Sequence, residues 1–346
     1  MDPRSPAERP RGSGAATGVL LVQLGTPDAP TAPALRRYLR EFLGDPRVVE
    51  IPRVAWTPIL YGFVLPLRPA RSAKKYAAIW TEEGSPLLVH TRRQASLLRG
   101  ALGERGHAVE VAFAMRYGTP SIASVLREMR TRGLDRLLVV PMYPQYSAST
   151  TATVFDAIAR ELRDWRVQPA LRFVRDFHDD EGYVEALARR VRAHWEREGR
   201  GERLLMSFHG VPRRVVELGD PYESQCRATG ARVAQRLGLA DDQWMLTFQS
   251  RFGPAEWLQP YTAPTLVDFA RRGVQSVDVV CPGFVADCLE TLEEISIEAR
   301  QAFLDAGGRA FSYVAALNDS SPFIDALASI VERNLKGWQT SRAPRP

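Results

Sequence analysis

GVLLVQL, Gly18 to Leu24, is aliphatic at every position but Gly18 and Gln23 and is closed at once by Gly25-Thr26-Pro27. A half-wet strand would alternate apolar and polar residues, and this one does not. Both of its faces are therefore expected to be buried, as in the centre of a parallel sheet covered by helices on each side. The same unit recurs along the chain. VEVAFAM (Val109–Met115), LDRLLVVPM (Leu134–Met142) and the weaker Ala170–Val174 follow in the first half. RLLMSF (Arg203–Phe208), WMLTFQ (Trp244–Gln249), SVDVVC (Ser276–Cys281) and Ala310–Val314 form a second series. Between them the spacing predicts helices at Pro33–Phe42, Pro86–Leu102, Ser121–Arg132, Thr151–Asp164, Glu181–Arg197, Tyr222–Leu237, Thr262–Arg272, Cys288–Ala306 and Ser321–Lys336. The alternation predicts an α/β protein of two doubly wound halves with parallel sheets. The division falls near residues 160–175, giving domains at 17–165 and 166–336, a disordered leader at 1–16 and a flexible tail at 337–346.

Composition narrows the function. A chain of 346 residues exceeds one ordinary compact core and suits two domains. The net charge of +6 is spread over scattered Arg residues with no basic block interleaved with aromatics, which argues against nucleic-acid binding. Cys226, Cys281 and Cys288 form an odd, sparse set without a CxxC pair. That argues against a disulfide framework or structural zinc and for a reducing compartment. The leader lacks the apolar core of a signal peptide, so a cytoplasmic location is expected. No Gly-rich dinucleotide or P-loop fingerprint occurs, so neither NAD nor ATP is suggested. Trp56–Leu67 is the most apolar stretch, too short to span a bilayer and interrupted by Pro58 and Pro66. Burial under a helix and peripheral contact with a membrane both fit it.

In doubly wound sheets, ligands bind beyond the carboxyl ends of the strands. His209 lies there, directly after RLLMSF, in a loop shaped by Gly210 and Pro212. Of the other histidines, His107, His178 and His194 read as surface residues and His90 as structural. The second candidate is VVCPGFVADCLETLEE (Val279–Glu294), a strand, a Pro-Gly loop and a helix starting near Asp287. On that helix Leu289, Leu292, Ile295, Ala299 and Phe303 share one side, and Glu290 and Glu294 share the other. Two carboxylates so spaced repel, so a cation or a proton is expected beside them. A competing role makes Asp287 the N-cap and Glu290 its N3 partner, but it accounts neither for Glu294 nor for the Pro-Gly-Phe loop. One imidazole and one carboxylate suit a borderline metal such as Fe(II). Two ligands are too few to keep a metal, which fits a site that receives one and passes it on. Either group can also take a proton.

At these residues the chain resembles the ferrochelatases, the last enzymes of haem synthesis. The likeness runs from about Gly18 to Asn318 through LVQLGTPDAP (Leu21–Pro30), GSPLLVHT (Gly84–Thr91), MYPQYSAST (Met142–Thr150), SFHGVP (Ser207–Pro212), TFQSRFGPAEWLQPYT (Thr247–Thr262) and CPGFVADCLETLEE (Cys281–Glu294). It implies two Rossmann-like domains, the chelatase-like fold, with a porphyrin in the cleft between them. It further implies insertion of Fe(II) into that porphyrin with release of two protons. By the same likeness His209 is the metal ligand or proton acceptor and Glu290 its partner. Asp287 and Glu294 extend an acidic route for metal or protons. Phe284, Tyr117 and Tyr143 contact the macrocycle or line its pocket, with Arg116 beside them. Arg68 and Arg71 match positions that bind propionates, chemistry that guanidinium suits, although a solvated basic face explains them equally well.

The chain departs from the pattern in three places. Cys288 stands where some relatives carry a second imidazole. Ala148 stands where some carry a cysteine for an iron–sulfur cluster, and their Cys-bearing C-terminal extension has no match, so no cluster and no cofactor beyond substrate Fe(II) is expected. Leu24 stands where relatives acting on coproporphyrin carry Tyr, which favours protoporphyrin IX. The expected chemistry is a cleft that bends the ring, with pyrrole protons leaving as Fe(II) enters. His209 must be neutral to accept one of them, so activity should fall at low pH. Two rival readings fit the same residues: a chelatase loading cobalt or nickel, and a non-catalytic haem or metal carrier. The sequence carries no signature of oligomeric state.

Overall fold

The computed structural model describes residues 16–340. The expected leader, Ala16 apart, and the last six residues of the expected tail lie outside them. In the first half, β1 (Ala16–Thr26), β2 (Glu110–Gly118), β3 (Leu134–Pro141) and β4 (Ala170–Phe173) form an all-parallel sheet in the order β2-β1-β3-β4. In the second, β5 (Arg203–His209), β6 (Trp244–Gln249), β7 (Ser276–Val280) and β8 (Ala310–Val314) form another in the order β6-β5-β7-β8. The two halves thus share one topology. In each, the winding reverses between the first and third strands, which opens a crevice at the carboxyl ends of β1 and β3 and of β5 and β7.

The continuous apolar strands are buried on both faces, as their composition requires. Leu20 and Val22 point to a cluster with Leu126 and Ile158, whereas Val19 and Leu21 point the other way. That second direction leads into the largest core, which also contains Leu204, Met206, Phe208 and Val280. The two sheets therefore share one apolar interior. On the far face of the second sheet, Leu205, Val277 and Val279 pack on Ile295, Ala299 and Phe303.

Three expectations need correction. A boundary at 165/166 would assign Ala170–Phe173 to the second domain, but β4 pairs with β3 from Arg136↔Ala170 to Val139↔Phe173. The strand belongs with the first series, as its order in the chain suggests, and a short, half-exposed edge strand carries little sign of where its domain ends. The segment from Gly337 to Thr340 is no free tail. Thr340 O accepts from Ala108 N at 2.6 Å, Thr17 Oγ1 donates to Gln339 O at 3.2 Å, and Arg172 lies 4.2 Å from the Trp338 ring centre. The third concerns residues 53–79, where no helix was expected. Arg53–Ile59 and Leu65–Ile79 are α-helical, joined by a wider π-helical turn at Leu60–Val64. Pro66 sits in the first turn of its helix, where a missing N–H costs nothing; Pro58 and Pro69 lie inside and mask the periodicity. Trp56, Leu60 and Leu65 are buried, while Val54 (87% exposed), Phe63 (66%) and Leu67 (73%) face solvent.

Candidate active site

His209 ends β5. Its Nδ1 lies 2.6 Å from the carbonyl oxygen of Gly210. A carbonyl can only accept, so Nδ1 carries the hydrogen and Nε2 holds the basic lone pair. The ring centre stands 6.4 Å from that of Trp257 and 6.5 Å from that of Phe284. Gly210 N donates to Gln249 O at 2.7 Å, and a Cβ on Gly210 would come within 2.8 Å of that oxygen. The close approach of two backbones is what requires glycine here.

Glu290 stands on the other side of the β5–β7 reversal. It opens a π-helical segment, Glu290–Ala299, followed by an α-helical turn at Arg300–Asp305. The wider turn re-phases the helix. Thr291, Glu293, Ile295, Ala299 and Phe303 are buried, and Leu289 and Leu292 are only partly so. Glu290 lines a small pocket with Leu24, Thr26, Tyr38, Tyr76 and Cys288. Burial raises the pKa of Tyr38, Tyr76 and Cys288, and the Glu290 charge raises all three further. Partial desolvation lowers that of Arg68, although its side chain still reaches solvent, and Glu290 opposes the change. The carboxylate therefore faces the first domain across the crevice.

Among the described residues no hydrogen bond joins the side chains of His209 and Glu290; they are linked through Gln249. The Gln249 main-chain carbonyl holds Gly210, and its Nε2 donates to Glu290 O at 2.8 Å. Glu294 sits close by. Its Oε1 accepts from Ser250 N at 2.7 Å, and its Oε2 accepts from Ser250 Oγ and from Gln249 Nε2 at 3.3 Å. These donors are neutral and, of the two carboxylates, serve that of Glu294 alone; the charge facing Glu290 is that of Arg68. Ser250 adopts a left-handed conformation, φ 65°, at this clamp. The adjacent Glu293 is paired with Lys75 of the first domain at 3.0 Å.

Asp287 is a correction. Its Oδ1 accepts from Tyr313 Oη at 2.6 Å and Thr291 Oγ1 at 3.0 Å, and its Oδ2 from Asn318 Nδ2 at 2.7 Å. Buried, with both oxygens held by side-chain donors, it bonds to none of the helix amides and is turned away from an acidic route. It ties the loop after β7 to the end of β8 instead.

The residues expected around a porphyrin divide. Phe284 lies beside His209 and packs on Leu87, Ala286 and Cys288. Arg68 reaches across the domains, its guanidinium 5.0 Å from the Phe252 ring centre. Arg71, three residues on, is exposed. Tyr143 is largely enclosed, and among the described residues its hydroxyl has no hydrogen-bond partner. Arg116 and Tyr117 are corrections. Arg116 is buried in an ion pair with Asp45 and donates to Thr153 O at 2.8 Å, and its guanidinium lies 4.3 Å from the Tyr117 ring centre. Tyr117 is fully enclosed and donates to Asp45 at 3.0 Å. The two are tied to Asp45, and Tyr117 packs in the same apolar cluster as Tyr38 and Leu24, so they brace the pocket rather than line it. Nothing in the spacing of β2 shows that Asp45 comes to meet them. His194, read as a surface residue, is buried as well. Gln249, Ser250, Tyr38, Tyr76 and Trp257 were not singled out by sequence; the strand end could have marked Gln249 and Ser250, whereas Tyr38 and Tyr76 lie inside helices with no local signal.

Two parallel α/β sheets of one topology, with an imidazole and a carboxylate at the second reversal point, define a chelatase-type fold. SirB from Bacillus subtilis, solved with Fe3+, has the same fold, with a TM-score of 0.55 and 11% identity over 94% of this chain and 99% of its own. CbiX, described as the terminal enzyme of sirohaem biosynthesis in denitrifying bacteria, gives 0.50 and 16% over 92% and 100%. The family model for ferrochelatase matches residues 16–335. Ferrochelatases of Polaromonas sp. and Dechloromonas aromatica are each 59% identical over 97% of this chain and 92% of theirs, and that of Bordetella pertussis is 58% identical over 98% and 94%. The chain belongs to the ferrochelatase family. It is an enzyme of haem biosynthesis that inserts Fe(II) into a porphyrin.

Proposed function

We propose that the porphyrin is protoporphyrin IX and that His209 and Glu290 form the pair through which Fe(II) and the pyrrole protons pass. The observation that carries the site is the Nδ1 bond of His209 to Gly210, which leaves Nε2 basic at the mouth of the second reversal point. Glu290 supplies a second, anionic ligand from the facing wall. Two ligands hold iron weakly enough to release it into the ring. A pyrrole proton passes to Nε2 as the metal enters. Glu294, held by Ser250 and Gln249, keeps negative charge behind Glu290 and is the remaining member of the acidic route. Arg68, above the Glu290 pocket, and Arg71 beyond it supply cations for propionates. Phe284 and Tyr143 offer aromatic walls.

Leu24 lines the Glu290 pocket, and its apolar side chain suits protoporphyrin at this wall. Anaerobic insertion assays with protoporphyrin IX and coproporphyrin III test this reading. Protoporphyrin IX is expected to be the better substrate for the native enzyme, and the preference should narrow in Leu24→Tyr. A preference for coproporphyrin III would contradict it. The proposed enzyme needs no cofactor besides its substrate iron. At Ala148 the backbone amide is held by Asp220 at 2.7 Å, with no thiol to offer a cluster.

The enzyme is further proposed to be cytoplasmic and to touch a membrane through the lip formed by Val54, Tyr61, Phe63 and Leu67, which are exposed beside Arg53 and Arg71. Among the described residues, no helix is long and apolar enough to cross a membrane. Flotation with liposomes should be lost in Phe63→Glu; flotation unaffected by that change would exclude this lip as the contact.

A further inference from the structure

We propose that Gln249 is a positioning residue for iron insertion: it sets the separation of His209 and Glu290. This rests on the reading of those two residues as the metal-transfer pair. Gln249 ends β6, where it pairs in register with His209, and it is 5% exposed. Every polar atom of its side chain is engaged. Oε1 accepts from Ser207 Oγ at 2.7 Å and lies 3.6 Å from Cys281 Sγ. Nε2 donates to Glu290 O at 2.8 Å and to Glu294 Oε2 at 3.3 Å. The main-chain carbonyl accepts from Gly210 N at 2.7 Å.

The orientation of the amide is fixed by its partners. A carbonyl and a carboxylate can only accept, so they must meet the NH2 group, while the hydroxyl and the thiol can donate to the oxygen. One residue thereby joins β5, the end of β7, the His209 loop and the first residue of the π-helical segment. A strand end could be buried with an apolar side chain at no polar cost. What the amide adds is a fixed distance. Its backbone holds the loop that orients the imidazole, and its side chain holds the residue that carries the carboxylate. A displacement of about 1 Å at such a site can cost about 100-fold in rate.

The test is steady-state anaerobic insertion kinetics on Gln249→Leu, Gln249→Asn, Glu290→Gln and the double variant Gln249→Leu/Glu290→Gln, with thermal unfolding of each. Leu keeps the volume and removes the bonds; Asn keeps the amide but is one methylene too short, so it reports the same effect if the Leu variant does not fold. The expected result is a kcat lower by roughly 10- to 100-fold in both single Gln249 variants. Porphyrin KM should stay within about threefold, since uniform binding is untouched. The double variant should be no slower than Glu290→Gln alone, because the amide acts through Glu290. A merely structural role would lower the melting temperature and leave kcat per folded molecule at the native value, which would overturn the proposal. Multiplying losses in the double variant would overturn it too. A native rate in Glu290→Gln would instead refute the metal-transfer pair, and the positioning role with it.

Discussion

His209 Nδ1 donates to the carbonyl of Gly210 at 2.6 Å, so the tautomer of the site imidazole is set by its own chain neighbour. The bond depends on the path of the loop, and the loop depends on Gly210. A Cβ there would meet Gln249 O at 2.8 Å, an oxygen that cannot swing aside because it belongs to the backbone. Gly210→Ala is expected to destabilise the fold by about 1–3 kcal/mol and to lower insertion activity per folded molecule. Thermal unfolding and anaerobic assays would measure the two effects separately. An alanine variant with native stability would show that the strands part more easily than their packing implies.

Asp287 is expected to behave as a structural residue. Removing its carboxylate in Asp287→Ala leaves the partly buried donors of Tyr313 and Asn318 without this acceptor, each worth about 1–3 kcal/mol, while Thr291 keeps the carbonyl of Cys288. The melting temperature should fall steeply, while the KM for Fe(II) of whatever folds stays near the native value. A raised KM for Fe(II) with a normal melting temperature would restore Asp287 to the metal route.

The first domain should report its own brace. Asp45 neutralises the buried Arg116 and accepts from Tyr117. Asp45→Asn leaves Arg116 without its counter-charge, a loss on the order of 3–5 kcal/mol for a buried pair. Chemical denaturation would read it. A change below about 1 kcal/mol would mean that the pair is solvated like a surface bridge.

Acid should loosen the loop between β4 and the helix Glu181–Glu198. His178 donates to Asp176, and this bond is the main cause holding the carboxyl below its ordinary value of 3.8. A carboxylate with a lowered folded pKa adds stability that is complete above the unfolded value and is lost as pH falls through the folded one. Stability should therefore decline below about pH 4. Asp176→Asn should lose stability at neutral pH and show a flatter acid limb. An unchanged acid limb in that variant would remove Asp176 from the account.

The strands were legible because each is a short apolar run ended by Gly, Pro or a polar turn, and burial on both faces leaves that imprint directly. β4 was legible as the last strand of the first series, but the boundary at 165/166 cut it from its sheet, since an edge strand with exposed faces has no pattern that marks where a domain ends. Residues 53–79 hid their helices behind Pro58, Pro66 and Pro69. His209 and Glu290 stood out because they follow buried strands, where doubly wound folds place ligands. Long-range partners left no such mark. Asp45 meets Arg116 and Tyr117 from a loop more than sixty residues away, and the bonds that hold Asp287 depend on β8 and on Asn318. Gln249 read only as the last residue of a strand, because its role lies in what converges on it.

The most direct test of the central claim is the anaerobic rate of Fe(II) insertion into protoporphyrin IX by His209→Ala and by Glu290→Gln, each shown by its melting curve to be folded. Losses of about 100-fold or more in kcat in both are expected of residues that touch the reacting atoms. Native rates in either folded variant would contradict the assignment of that residue to the metal-transfer pair.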